Sequence, residues 1–282
     1  MTSTGLTAGV HIATSKCVAV VIDDDGAVLA QSRVDTPRGT TELLDVVEAI
    51  CTELITVVGA VDSVGVGVAG QLDLSGRMAF SPNLDLGDVP LLQLLETRLD
   101  RPIVIDNDAN LAAMAELEWG IARGISNAVL MTIGSGFGNA LIIDGAVRRG
   151  AFGMAGELGH TMINPSGPEC SCGSRGCLEV YTSGRGLDWM ARQAAIAGLT
   201  PQLLTLAGGD AENVQGEHVM RGARNDDPGA LAILDQFAFW MAVGLSNAVA
   251  LLDPELVILG GDMADDWDLY GHLVRTHHER LV

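Results

Sequence analysis

Two apolar runs, TAGVHIATSKCVAVVID and AVLAQSRVD, meet at the turn DDDGA and lead into alternating helices and strands, and from about Ser126 the same succession begins again. That recurrence constrains the fold more than any other feature of the chain. A tight turn joins only antiparallel strands, whereas strands separated by helices pair in parallel with the helices laid on a sheet face. In the first half the pattern predicts a helix from about Thr41 to Val58, a strand in SVGVGVAG, a helix over about Leu91 to Leu99, a strand in PIVID and a helix starting near Asn110. The second half reads as the strand NAVLMTI, the turn GSGFG, the strand NALIIDG, a short strand at AVRRG, and later a long helix and the strand LVILGG. Asp227 can cap that long helix, Pro228 suits its first turn, and LDPE ends it. The reading is an α/β protein with a duplicated mixed sheet, organised as two α/β lobes, residues 1–122 and 123–282, with a central cleft.

At 282 residues and 48% apolar composition the chain can bury two cores. The longest membrane-span candidate, Trp240 to Leu252, is interrupted by Ser246 and Asn247, so no spanning run is expected. The start, MTSTGLTAGV, lacks the basic and apolar stretches of a signal peptide, which points to the cytoplasm and to reducing conditions. A formal charge of −20 repels a nucleic-acid backbone, so neither nucleic acid nor membrane is an expected partner. Small anionic ligands are not excluded, because backbone amides and helix N-termini hold phosphates on an acidic protein.

Three of the five cysteines, Cys170, Cys172 and Cys177, fall on one glycine-containing loop, ten residues after His160. Three thiolates and an imidazole make a tetrahedral zinc set with no open position, which predicts a structural zinc that fixes the loop. Cys17 and Cys51 lie in apolar segments and read as buried thiols.

The segment GELGHTMINPSGPECSCGSRGCLEVYTSGRGL, from Gly156, resembles the signature of the ROK family of repressors, open reading frames and sugar kinases: E-x-G-H followed by C-x-C-G-x-x-G-C-L-E. VIDNDANLAAMAE is similar to that family's catalytic segment, GSGFGNALIIDG to its second phosphate loop, and NAVALLDPELVILGG to its nucleotide-side strand. The resemblance implies an actin-like, hexokinase-like (ribonuclease H-like) fold and a glucokinase-like transfer of the ATP γ-phosphate to a hexose hydroxyl, commonly the 6-OH. It implies ATP with Mg²⁺ as co-substrate, a zinc that orders the sugar-side loop, and a homo-oligomer, dimer or tetramer. Sugar contacts are then expected from Asn83, Asn107, Asp108, Glu157, His160 and Glu179, with His160 serving both metal and ligand.

Residue by residue, two readings stand side by side. Asp108 follows an apolar strand and precedes a helix, where it is either an N-cap or, under the resemblance, the base that accepts the sugar's proton. Asn107 fixes a hydroxyl or makes a turn. Gly134, Ser135, Gly136 and Gly138 form a glycine-rich hairpin turn that can also bring amides to phosphate oxygens, and Gly260 and Gly261 after the last strand have the same two uses. Glu157 and Glu179 are ordinary carboxylates nominated by their place beside the cysteines.

The first loop departs from the family pattern. Where D-I-G-G-T-K is usual, this chain has HIATSK, so that His11 replaces an acidic residue near Mg²⁺ and Ala13 and Thr14 replace both glycines. Hard cations prefer oxygen to an imidazole, although Ser15 and Lys16 keep a hydroxyl and a positive charge for the nucleotide. The chain also stops at Val282 in an apparent helix, where the family usually adds a further strand and helix. These departures support an alternative, a sugar-binding regulator or sensor with lost or weakened kinase activity.

Overall fold

A computed structural model describes residues 5–282; the first four residues, part of the stretch read above for a leader, lie outside it. Strands β1 (Thr7–Ile12), β2 (Lys16–Ile22) and β3 (Val28–Asp35) form an antiparallel meander. The β2–β3 turn closes because Gly26 adopts a φ of 80° and the Asp23 carboxylate accepts the N–H groups of Asp25 and Ala27. Helix α1 (Thr40–Val58) then leads to β4 (Ser63–Val68), which pairs in parallel with β1. Strands β5 (Gln71–Leu72), β6 (Met78–Ser81) and β7 (Leu86–Val89) make a separate antiparallel sheet that the sequence pattern had not revealed. Helix α2 (Leu91–Leu99) precedes β8 (Ile103–Asn107), and α3 (Asp108–Glu118) begins where β8 ends.

The five-stranded sheet runs β3-β2-β1-β4-β8. Strand alternation sends Ala8, Val10 and Ile12 of β1 and their partners Val64, Val66 and Val68 of β4 into a core with Leu43, Val47 and Ile50 of α1. Gly9, His11, Gly65 and Gly67 occupy the alternate positions. There α3 packs, and a Cβ at Gly67 would stand only 3.1 Å from Leu111 Cδ1, so glycine sets how closely the helix approaches β4.

The chain divides into two compact units, the first running to Arg123 and taking in Val147–Ala155, the second comprising Gly124–Ala146 and Gly156–Val282. The excursion 147–155 is fastened to the first unit by Arg149. Its guanidinium meets the buried Asp106 carboxylate through Nε and Nη2, both at 2.6 Å, and Asp106 also accepts the Asn107 N–H and the Asn110 amide.

The second unit opens with β9 (Ala128–Ile133), β10 (Phe137–Ile143) and β11 (Ala146–Val147). Four helices that the sequence pattern had not revealed follow the cysteine loop: α4 (Glu179–Thr182), α5 (Gly184–Ile196), α6 (Pro201–Leu206) and α7 (Gly216–Ala223). Helix α8 (Pro228–Leu252) has Asp227 as its cap, accepting the Ala230 N–H at 2.8 Å, and ends at Asp253 in the left-handed region. Strand β12 (Leu256–Gly260) pairs in parallel with β9, giving the order β11-β10-β9-β12, and α9 (Trp267–Leu281) packs on α8. By length and composition α8 could cross a membrane, contrary to the expectation that no run qualifies, because two polar residues do not offset its aliphatic ones. Half of that stretch is buried, with Leu234, Phe237, Ala238 and Ala242 forming part of this unit's core.

Candidate active site

In the first unit the candidates gather at the ends of β1 and β8. The residue that caps α3 is Asn107, one position before the expected one: its Oδ1 accepts the N–H groups of Ala109 and Asn110, while its Nδ2 donates to the Gly70 carbonyl. With both acceptor positions used, Asn107 retains only one N–H for a ligand. Asp108 is therefore the first residue of α3 rather than its cap. Its Oδ1 accepts the Ala109 N–H at 2.9 Å, and its Oδ2 faces Nε2 of His11 at 3.4 Å. In the HIATSK loop Ala13 and Thr14 are not among the residues with positive φ, so the turn closes without glycine. Lys16 is ion-paired with Asp35, and the exposed Ser15 uses its carbonyl to accept the Thr36 N–H. Asn83 is half-buried in the turn between β6 and β7.

In the second unit GSGFG makes the β9–β10 turn. Its carbonyls are engaged: Gly134 O accepts the Gly184 N–H at 2.7 Å, and Ser135 O accepts Nε of Arg185 at 2.8 Å. The N–H groups of Ser135 and Gly136 make no hydrogen bond among the described residues, which leaves donors for an anion. Gly138 lies within β10. Ser135 also lines a cavity of about 640 Å³ together with Arg185, Arg221, Arg224, Asp262 and Met263. Space above Gly260 is open, and Gly261 has a φ of 87°, with a Cβ there falling 2.4 Å from the Ile133 carbonyl oxygen.

Glu179 ties this turn to the cysteine loop. Its buried Oε2 accepts the Phe137 N–H at 2.9 Å, while Oε1 lies 3.5 Å from Ser171 Oγ and 3.9 Å from Cys170 Sγ. Gly176 permits the loop's close return, since a Cβ there would overlap the Asn164 carbonyl. The donor atoms of His160, Cys170, Cys172 and Cys177 all lie within 4.8 Å of one another, with Cys172 Sγ 3.7 Å from Cys177 Sγ and Cys170 Sγ 3.6 Å from His160 Nδ1. A tetrahedral zinc, with Zn–S about 2.3 Å and Zn–N about 2.0 Å, sets its ligands roughly 3.5–3.8 Å apart. The four donors fit. Nδ1 of His160 faces the thiols, and Nε2 is turned toward Glu157 Oε2, 3.9 Å away. Without metal the thiols share their protons unevenly. Burial and the neighbouring cysteines push Cys177 up to about 12, and burial raises Cys170. Cys172 is lowered, because burial is outweighed by hydrogen bonds from Ser174 and the adjacent thiols.

The ROK family profile matches residues 7–282. The chain belongs to the ROK family. Among its ROK relatives, glucokinase of Streptomyces coelicolor is 37% identical over 99% of this chain and 88% of that protein. The xylose repressor of Bacillus subtilis is 29% identical over 96% of this chain and 68% of its own length. A ROK glucokinase from Streptomyces griseus, solved in complex with glucose and AMPPNP, superposes with a TM-score of 0.87 at 37% identity, covering 98% of this chain and 89% of that one. The fold is thus the actin-like one of ROK glucokinases and hexokinases.

Several residues beside these candidates, in one unit or the other, carried no sequence signal. Arg185, Arg221 and Arg224 line the cavity from helices that a 3.6-residue period did not expose, and Arg149 reaches Asp106 across 43 residues. Asn139 of β10 accepts the Leu158 N–H at 2.7 Å, holding the short turn that carries Glu157 and His160. An asparagine in a strand announces no such contact.

Proposed function

We propose that this chain is an ATP-dependent hexose kinase of glucokinase type, transferring the γ-phosphate to the sugar's 6-OH. Its carrying observation is the Asp108 carboxylate at the junction of β8 and α3, with one oxygen tied to its own helix and the other outside that bond. As the hydroxyl oxygen bonds to phosphorus and ADP departs, Asp108 accepts the hydroxyl proton. The unpaired amides of the GSGFG turn and the arginines of the neighbouring cavity are the groups that hold the nucleotide's phosphates, with Mg²⁺ arriving as part of the co-substrate. Glu157, Glu179, Nε2 of His160, Asn83 and the remaining amide proton of Asn107 pair with sugar hydroxyls, which are costly to bury unpaired. His160 Nδ1 and the sulfurs of Cys170, Cys172 and Cys177 would hold a zinc, which would order the loop and, with four protein ligands, would have no position open for catalysis. A homo-oligomer in the cytoplasm is the accompanying proposal, tested for its assembly by light scattering.

A second reading, a sugar sensor, is favoured by the first loop, where Lys16 is engaged by Asp35 and His11 faces Asp108. Asp108→Asn separates the two. In a kinase it lowers turnover by about 10²-fold or more, while sugar affinity changes far less. In a sensor the wild-type chain binds sugar yet shows no sugar-dependent ATP hydrolysis, and the substitution alters binding alone.

A further inference from the structure

The two oxygens of Asp108 are not equivalent. Oδ1 accepts the Ala109 N–H of its own helix, whereas Oδ2, the oxygen 3.4 Å from His11 Nε2, meets a side chain from another strand. The two residues stand 97 positions apart and meet through the sheet register. His11 of β1 is opposite Gly67 of β4, and both belong to the face on which α3 lies. A Cβ at Gly67 would fall 3.6 Å from Asp108 Cα and 3.8 Å from Asp108 Cβ, so the first turn of α3 rests on bare backbone and His11 is the side chain next to it in that row. Two other charged side chains borne by this sheet are ion-paired elsewhere: Lys16 of β2 with Asp35 of β3, and Asp106 of β8 with Arg149.

We propose that His11 is a positioning residue for Asp108, its Nε2–H donating to Oδ2 and fixing the lone pair left for the sugar hydroxyl. The inference rests on the reading of Asp108 as the base. A carboxylate accepts two hydrogen bonds at one oxygen, so the imidazole and the hydroxyl can share Oδ2. The carboxylate also selects the imidazole tautomer, since only the form protonated on Nε2 can donate to it. What first reads as a damaged magnesium-side loop is then a second support for the base. A carboxylate at position 11 would instead stand against Asp108 as a like charge.

With the His11 side chain 53% and Asp108 29% exposed, the contact is a modest one. His11→Ala is expected to lower kcat about three- to tenfold, the size of one partly exposed hydrogen bond to a charged group, and to leave the sugar KM within about twofold. His11→Gln, whose amide nitrogen reaches the place of Nε2, restores kcat to within about twofold of the parent. A purely structural histidine predicts a lower melting temperature in both variants and no difference in kcat between them. Equal kcat in His11→Ala and wild type, or His11→Gln as slow as His11→Ala, overturns the proposal. Asp108→Asn in the same assay keeps the two claims apart. If it retains turnover, the base assignment falls; if it abolishes turnover while His11→Ala is unaffected, only the role of His11 falls. A long-range ¹H–¹⁵N spectrum of the His11 ring above neutral pH needs no turnover. The Nε2–H tautomer is expected in the parent and a mixture in Asp108→Asn, and identical tautomers in both overturn the contact.

Discussion

Replacing Glu179 with alanine tests whether the cysteine loop and the glycine turn are joined mechanically. The carboxylate is buried, and Oε2 is the acceptor for the buried Phe137 N–H at the end of GSGFG. Removing it leaves that donor without a partner, a cost of about 1–3 kcal/mol. In a unit of this size about 2 kcal/mol corresponds to a fall of roughly 4–8 °C in melting temperature, and thermal unfolding of the zinc-loaded protein measures it directly. Because the same bond holds the turn proposed to carry phosphate, the KM for ATP should rise several-fold along with that for sugar. Glu179→Gln supplies the control. Its carbonyl oxygen can still accept from Phe137, so melting temperature and ATP KM should stay near the parent values while sugar affinity alone falls. The reasoning is refuted if Glu179→Ala melts with the parent and leaves ATP KM unchanged, or if Glu179→Gln is destabilised as much as alanine.

Metal analysis of purified protein should find one zinc per chain, and Cys172→Ala should lose metal and sugar binding together; metal-free protein that still binds sugar normally contradicts the structural role. A different cysteine, Cys51 of α1, reports on the first unit. Burial raises its thiol from 9.0 to about 11, only partly opposed by the charge of Arg101. The folded state thus holds this proton more tightly than the unfolded one, so the associated stability is complete below about pH 9 and lost as pH climbs through 11. Denaturant titrations should show a decline of about 2–3 kcal/mol across that window from this group, reduced in Cys51→Ala. An equal decline in both proteins rejects the assignment to Cys51.

Legibility in the sequence followed the range of the forces involved. The hairpin at Gly26, the caps of α8 and the helix α2 were readable because a turn glycine, an Asp-Pro pair and an apolar period act within a few residues. The metal loop was readable because cysteine spacing is itself the geometry. Strands β5 to β7 escaped notice because two to four residues interrupted by Asp and Gly show no alternation. Helix α5 was hidden behind the two glycines in its first turn. Asn107 rather than Asp108 caps α3, since the helix begins directly where β8 ends and the last strand residue serves as its cap. The pairings that shape the proposed site, His11 with Asp108, Arg149 with Asp106 and Lys16 with Asp35, depend on sheet register and chain return, and local composition does not encode either.

The central claim is phosphoryl transfer to a hexose, and the sugar itself is the most direct witness. Glucose incubated with the protein and Mg-ATP, then examined by mass spectrometry and by NMR of its carbons, should gain one phosphoryl group at the 6-position in step with ADP formation. Asp108→Asn should suppress the product without abolishing glucose binding. Glucose and the other hexoses and amino sugars all recovered unchanged, from a chain that is zinc-loaded and binds sugar, would contradict the kinase account and leave the sensor reading in its place.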